Sequence, residues 1–280
     1  MRIKKLYKNE YILSSLENKI WVRNFTLEGS PYIDINHLFN ADFKSILTNE
    51  IYNNTSSIEK IDVNDFNFSK CVIVSDGYKF NEKQDLLNKL PKNITILGVN
   101  NALKKWTVKR QMNFFVINNP YNEALTQLPI NHTYFPRCVI STRTHHKFAK
   151  QYKGHIYRYT PVPQQDYSYS KNDVIYKIDD YRNPICATIG LSYRFKVQKL
   201  LLFCCDEAFE NERPGAERLE NGLWHYPQHK MAHDIVDANL YWLKKAGVQI
   251  VNHSSGLNFN NASYISEEDI VSFFEKEHDG

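Results

Sequence analysis

Three runs of the chain are wholly apolar and each ends abruptly at polar residues. Cys71-Val-Ile-Val74 breaks into Ser75-Asp-Gly77, Phe114-Phe-Val-Ile117 into Asn118-Asn119, and Leu200-Leu-Leu-Phe-Cys-Cys205 into Asp206. A short run with no polar face reads as a strand covered on both sides, as in a parallel sheet between helical layers. Ile94-Thr-Ile-Leu-Gly-Val99 adds another strand, and the helical segment Glu82 to Leu90 with Pro91 lies before it, so strand, helix and strand make a parallel crossover. Arg137-Cys-Val-Ile-Ser141 and His155-Ile-Tyr-Arg-Tyr159 read as further strands joined by the basic segment Arg143 to Lys153.

Pro184 suits the first turn of a helix running to about Phe195. Pro227 opens another that reaches Ala246, where Gly247 stops it before the strand Val248-Gln-Ile-Val251. Ser266-Glu-Glu-Asp269 caps a closing helix with Ile270, Val271, Phe273 and Phe274 on its apolar side. The expected fold is α/β, a Rossmann-like and mostly parallel sheet with helices on both faces over residues 70–280. Residues 1–69, rich in Asn, Ile and Tyr, read as a short accessory segment. Thr160 to Lys171 is a long loop, functional or merely connecting.

Composition narrows the function. The 35 basic and 31 acidic side chains give a formal charge of +4 with no cluster, so nucleic acid is a weak expectation and an anionic small substrate an equal one. No apolar run approaches the roughly 18 residues of a membrane span, and no leader is visible, so a cytoplasmic location is expected, with peripheral membrane association left open. The cysteines, Cys71, Cys138, Cys186, Cys204 and Cys205, are odd in number and sit mostly in apolar runs, which reads as buried free thiols.

In open α/β sheets ligands bind beyond the carboxyl ends of the strands. That rule selects Ser75, Asp76, Gly77 and Tyr78, which lack the glycines of a dinucleotide or Walker turn and are either a nucleotide contact or a plain turn. Asn100, Asn101, Asn118 and Asn119 offer uncharged donors and acceptors for a base or ribose edge, and are equally common in turns. Arg182 precedes a helix start that favours a bound anion, against the alternative of a surface salt bridge. Asp206 is a ligand-orienting or catalytic acid, or a cap on the next loop.

His225, His229 and His233 are spaced by four, with Asp237 continuing the face of His229 and His233. Two histidines fall short of the three protein ligands a zinc site needs, so no metal or other cofactor is expected. His229 is either a general base, with a pKa suited to the task, or structural. Glu207 to Gly222, with Arg213 and Arg218, is a lid or a solvated excursion.

The order of Ser75-Asp-Gly77, Val99-Asn100-Asn101, Val116-Ile-Asn-Asn-Pro120, the Arg182 helix, the strand ending in Asp206, and Tyr226-Pro-Gln-His229-Lys before Val248-Gln-Ile-Val251 resembles the small bacterial sialyltransferases. It is similar also to the motility-associated nonulosonate transferases and the archaeal hydroxymethylpterin diphosphokinases, over roughly residues 70–265. The resemblance implies a metal-independent, inverting transfer from a CMP-activated sugar to a glycan or other hydroxyl acceptor. By position it implies Asn100 and Asn119 on the donor nucleotide, Arg182 on the substrate and His229 as general base.

Departures are visible as well. The glycine turn is reduced to Gly77, Pro184, Ile185 and Cys186 replace the serine and glycine after the arginine, and no lid tyrosine precedes Tyr226. Arg213 or Arg218 would then offset charge on the leaving phosphate. A diphosphokinase is the alternative, lacking its acidic metal motif at Asn118-Asn119. A non-catalytic nucleotide- or glycan-binding module is another.

Overall fold

Every strand pair of the main sheet is parallel. The computed structural model describes residues 2–7, 10–14, 19–23, 48–50, 52–62, 66, 68–129, 134–161, 177–178, 183–206, 208, 210–256 and 258–276, with backbone alone at 2–7, 10–14, 19–23, 177–178 and 227–231. We label the strands of this sheet β1 (Lys70–Val74), β2 (Thr95–Val99), β3 (Phe114–Ile117), β4 (Arg137–Ser141), β5 (Ile156–Pro161), β6 (Lys177–Ile178), β7 (Lys199–Phe203), β8 (Gln249–His253) and β9 (Ser263–Tyr264). Their order is β6-β5-β4-β3-β2-β1-β7-β8-β9, and the two-residue strand Glu59–Lys60 also pairs with β5. The α-helices described after β1 are α1 (Phe80–Lys83), α2 (His146–Gln151), α3 (Pro184–Arg194), α4 (Pro227–Lys245) and α5 (Asp269–Glu275). A separate antiparallel meander, Arg2–Tyr7, Glu10–Ser14 and Lys19–Arg23, precedes them.

Alternation along each strand divides the core in two, because successive side chains leave a strand on opposite faces. Cys71 and Ile73 of β1 pack with α3 and α4, through Ile185, Ile189, Val236 and Leu240. Val72 and Val74 face the other layer, with Phe80, Phe148, Ile270 and Phe274. The wholly apolar runs are therefore strands buried on both sides, and the Rossmann-like α/β arrangement follows. All five cysteines are buried and free.

Capping chemistry sets the helix starts. Pro184 and Pro227 occupy the opening turns of α3 and α4, and the Asn183 side chain accepts from the Ile185 N–H at 2.8 Å. Gly247, at φ +89°, follows the end of α4. The expected helix from Glu82 to Leu90 is instead α1 followed by a 3₁₀ helix, Gln84–Lys89. Gln84 there is buried and accepts from the Thr107 N–H at 2.9 Å, so its side chain is anchored to the loop before β3.

The topology reverses at β1, which has β2 on one side and β7 on the other. Registers run level across this point, Val74 opposite Phe203 and Phe203 opposite His253. The loops after β1, β7 and β8 thus emerge side by side. Two buried asparagines brace the far end of the same edge. Asn53 Nδ2 donates to the carbonyls of Thr142 and Thr144 at 3.0 and 2.7 Å, and Asn49 Nδ2 donates to that of Pro120 at 2.9 Å.

Replacing Asn53 by alanine removes two hydrogen bonds and strands two buried carbonyls. The variant should lose about 2 to 4 kcal/mol in urea unfolding, and a loss below 1 kcal/mol would show that the brace is dispensable.

Candidate functional site

The loops after β1, β7 and β8 meet on one carboxylate. Asp206 Oδ1 accepts the Tyr78 N–H at 3.0 Å, and Oδ2 accepts the N–H groups of Ser255 and Gly256, both at 2.8 Å. Asp206 is 1% exposed. Burial pushes its carboxyl pKa up, while the three backbone donors favour the charged form and pull it down. With both oxygens engaged, the geometry is that of a clamp across three loops.

Two glycines are required by this clamp. A Cβ on Gly77 would overlap Asp206 Oδ1 and the Cys204 carbonyl, whose oxygen already accepts the Gly77 N–H at 3.0 Å. A Cβ on Gly256 would lie 2.7 Å from that of Asp206. Cys204 itself is held at φ +52°, Asn100 at +55° and Lys79 at +59°. Left-handed backbone at non-glycine residues is sparsely populated, and here three such residues follow β1, β2 and β7.

Next along the edge, the loops of β1 and β2 are tied together. Asn100 Nδ2 donates to Ser75 Oγ at 3.0 Å, Asp76 Oδ1 accepts the Asn101 N–H at 3.3 Å, and Lys105 Nζ pairs with Asp76 Oδ2 at 2.9 Å. Asn119 Oδ1 accepts the Tyr121 N–H at 2.9 Å, while its backbone carbonyl accepts the His145 N–H at 3.0 Å. Asn118 is buried and its Nδ2 has no partner among the described residues.

The structure thus brings Ser75, Asp76, Gly77, Asn100, Asn101 and Asp206 together at the switch point, with Asn119 after the next strand. Arg182 lies outside the described residues, directly before the Asn183 cap of α3. His229 lies in the first turn of α4, and its side chain is outside them too. Tyr226 is the N-cap of α4 and half-buried.

The 210–226 segment is anchored to the clamp from two sides. Tyr78 Oη donates to Glu210 at 2.6 Å, and Asn221 Nδ2 donates to the carbonyls of Ser255 and Gly256 at 3.0 and 3.1 Å. Arg213 and Arg218 are exposed, the latter in a two-strand hairpin with Trp224–His225. Of the histidines spaced by four, His229 and His233 both lie on α4, and His225 precedes it. His225 is buried with Nδ1 3.0 Å from the Tyr226 carbonyl, and His233 stacks on Phe259 at 4.3 Å. Asp237 is occupied by Asn260 and Asn261 at 2.9 to 3.2 Å. Among the described residues no three His, Cys, Asp or Glu side chains converge as a metal site.

Two features escape sequence reasoning. Lys83 donates to Ser255 Oγ at 3.0 Å, reaching from α1 across β7 to the loop after β8, and its charge acts on Cys204 and His253. In the sequence it is one lysine among 35 basic residues. His145 and His146 stack at 4.8 Å after β4, and burial pulls both pKa values down. They fall in what reads as a basic connecting segment.

No family description and no curated protein matches the sequence. Among solved structures, that of the MAf glycosyltransferase from Magnetospirillum magneticum AMB-1 is similar in fold, with a TM-score of 0.66 and 12% identity over 83% of this chain. The match spans 39% of that protein's own length.

Gly77→Ala should cost about 3 kcal/mol because the clamp cannot retract. Gly215→Ala, at φ +79° with open space around it, should cost about 1 kcal/mol from backbone strain alone. Equal losses in urea unfolding would refute the clamp reading. A second measurement concerns pH. Burial lowers the pKa of His253 from 6.5, so below that pH the unfolded chain binds more protons and stability falls as pH drops towards the folded value. His253→Gln should lose less stability than the parent between pH 7 and 5; an identical pH slope would exclude His253 as the source.

Proposed function

We propose that this chain is a glycosyltransferase that takes its sugar from a nucleotide-activated donor bound at the switch point of the sheet. The carrying observation is the switch point itself, where three loops locked by Asp206 leave a fixed polar edge, on a fold similar to that of a glycosyltransferase. Ligands of open α/β sheets lie at such points. The finer reading is a CMP-linked, sialic acid-like nonulosonate, used in the cytoplasm without a metal.

In this reading Asn100, Asn101 and Asn119 meet the nucleotide, together with the Ser75-Asp76-Gly77 turn. Arg182 binds the anionic sugar, and Asp206 acts as a positioning residue, since its oxygens are already committed. His229 takes the proton of the acceptor hydroxyl. The hydroxyl oxygen forms its bond to the anomeric carbon as the bond from that carbon to the phosphate oxygen breaks, which inverts the configuration and releases CMP. The phosphate leaves with its negative charge, and a cation beside it stabilises the transition state. Lys83 is suited to this by its place over the carboxyl end of β7, and Arg213 and Arg218 are the further candidates on the loop above.

Calorimetric titration with CMP, CDP and ATP, each with and without Mg²⁺, tests the reading. CMP should bind without metal; no nucleotide binding would refute it, and binding of ATP with Mg²⁺ alone would favour diphosphate transfer. His229→Ala should bind CMP as the parent does and lose transfer by about a hundredfold or more, so undiminished transfer would remove His229 from its role. Lys83→Met should bind CMP about tenfold more weakly, as expected for one lost charge-assisted hydrogen bond.

A further inference from the structure

A second surface lies at the opposite edge of the sheet from the candidate site. Helix α3 ends at Arg194 just before Lys199 opens β7, and α4 ends at Lys245 just before Gln249 opens β8. Lys199 and Gln249 are register partners, and the helices touch where Asn239 Nδ2 meets Cys186 Sγ at 3.8 Å. The two helix ends therefore lie side by side at the amino edge of the sheet.

Large aromatic rings are exposed there. Trp242 is 69% exposed, Tyr193 55% and Tyr241 42%. The Tyr241 and Trp242 rings meet edge-on at 5.3 Å, Lys245 Nζ sits 5.5 Å from the Tyr241 ring, and the Arg194 guanidinium sits 6.0 Å from that of Tyr193. Lys196, Lys244 and Lys245 are exposed beside them. Residues 183–205 and 238–265 contain five Lys or Arg side chains and no Asp or Glu; Lys199 is buried with its ammonium on the Phe273 carbonyl at 2.8 Å, which leaves Arg194, Lys196, Lys244 and Lys245 for this face. Lysines at a helix C-terminus answer the helix dipole, but this leaves the three exposed rings unexplained.

We propose that this face docks on an anionic lipid surface. Tryptophan and tyrosine rings settle at the headgroup level, where one end is apolar and the other wet, and lysine stems lie along the apolar zone with their ammonium groups on the phosphates. Each basic residue near such a surface adds to the attraction. A nucleic acid duplex would engage the lysines but offer Trp242 no apolar partner. The candidate site, at the carboxyl edge, stays open to solvent. The docking surface stands independently of the glycosyl-transfer reading.

Sedimentation of the full chain with vesicles tests this. The chain should partition onto mixed phosphatidylglycerol and phosphatidylcholine vesicles, not onto phosphatidylcholine alone, and be released by high salt. Lys244→Glu with Lys245→Glu should weaken partition about tenfold or more, as should Tyr241→Ser with Trp242→Ser, with circular dichroism and urea midpoints confirming folded variants. The same reversals at Lys89 and Lys92, in the opposite layer, should change nothing. Absent partition, equal partition onto neutral vesicles, or indifference to both double substitutions overturns the proposal. Tighter binding to duplex DNA that ignores the aromatic substitutions, or a dimer dissolved by Trp242→Ser, overturns it in favour of a polyanion or a second copy.

Discussion

The buried carboxylate of Asp206 is the interaction on which the carboxyl edge of the sheet depends. Where β1 and β8 run out, their loops turn inward with backbone N–H groups that have left the ladder, and an unpaired buried donor costs about as much as a lost hydrogen bond. Burying a carboxylate is costly as well. Each problem answers the other, since three N–H groups converge on two oxygens at 2.8 to 3.0 Å. The arrangement fixes the residue types around it. Gly77 and Gly256 are glycines because a Cβ at either would collide with Asp206 or its neighbours.

The sheet was legible because burial on both faces imposes an unbroken apolar run, which period reading detects directly. Pro184, Pro227 and Gly247 were legible for a similar reason, as their effects on the backbone are local. The brace by Asn49 and Asn53 was not, since it joins residues 71 to 97 positions apart and an asparagine in a polar segment carries no mark of its partner. The helix expected from Glu82 to Leu90 failed where Gln84 turned inward to the Thr107 N–H, a tertiary contact that overrides local propensity. At the site, strand-end rules led to Ser75, Asn100 and Asp206, but nothing in the sequence separates Lys83 from other lysines, because its significance lies in reaching Ser255, 172 residues later.

The polar groups along this edge divide by their degree of commitment. Those at β1, β7 and β8 are spent on one another and hold their shape without a ligand. Beyond them, Asn118 Nδ2, Asn53 Oδ1 and Thr142 Oγ1 are buried with no partner among the described residues, although buried polar atoms are nearly always paired. The edge therefore grades from a fully paired end at Asp206 to an incompletely satisfied end near Asn118.

Helix α4 connects the two surfaces of the molecule. Its first turn carries His229 and its last carries Trp242 and Lys245 at the aromatic and basic face. Nineteen residues at about 1.5 Å each give a rod of about 28 Å, and its packing on α3 and β8 keeps it from pivoting. A surface bound to the lower face would hold the upper edge about that distance away. If the chain transfers glycosyl groups as proposed, an acceptor hydroxyl at that edge would then stand off the surface or arrive from solution. On the two proposals together, a hydroxyl lying in the headgroup plane would be out of reach, and the length of α4 would select among acceptors.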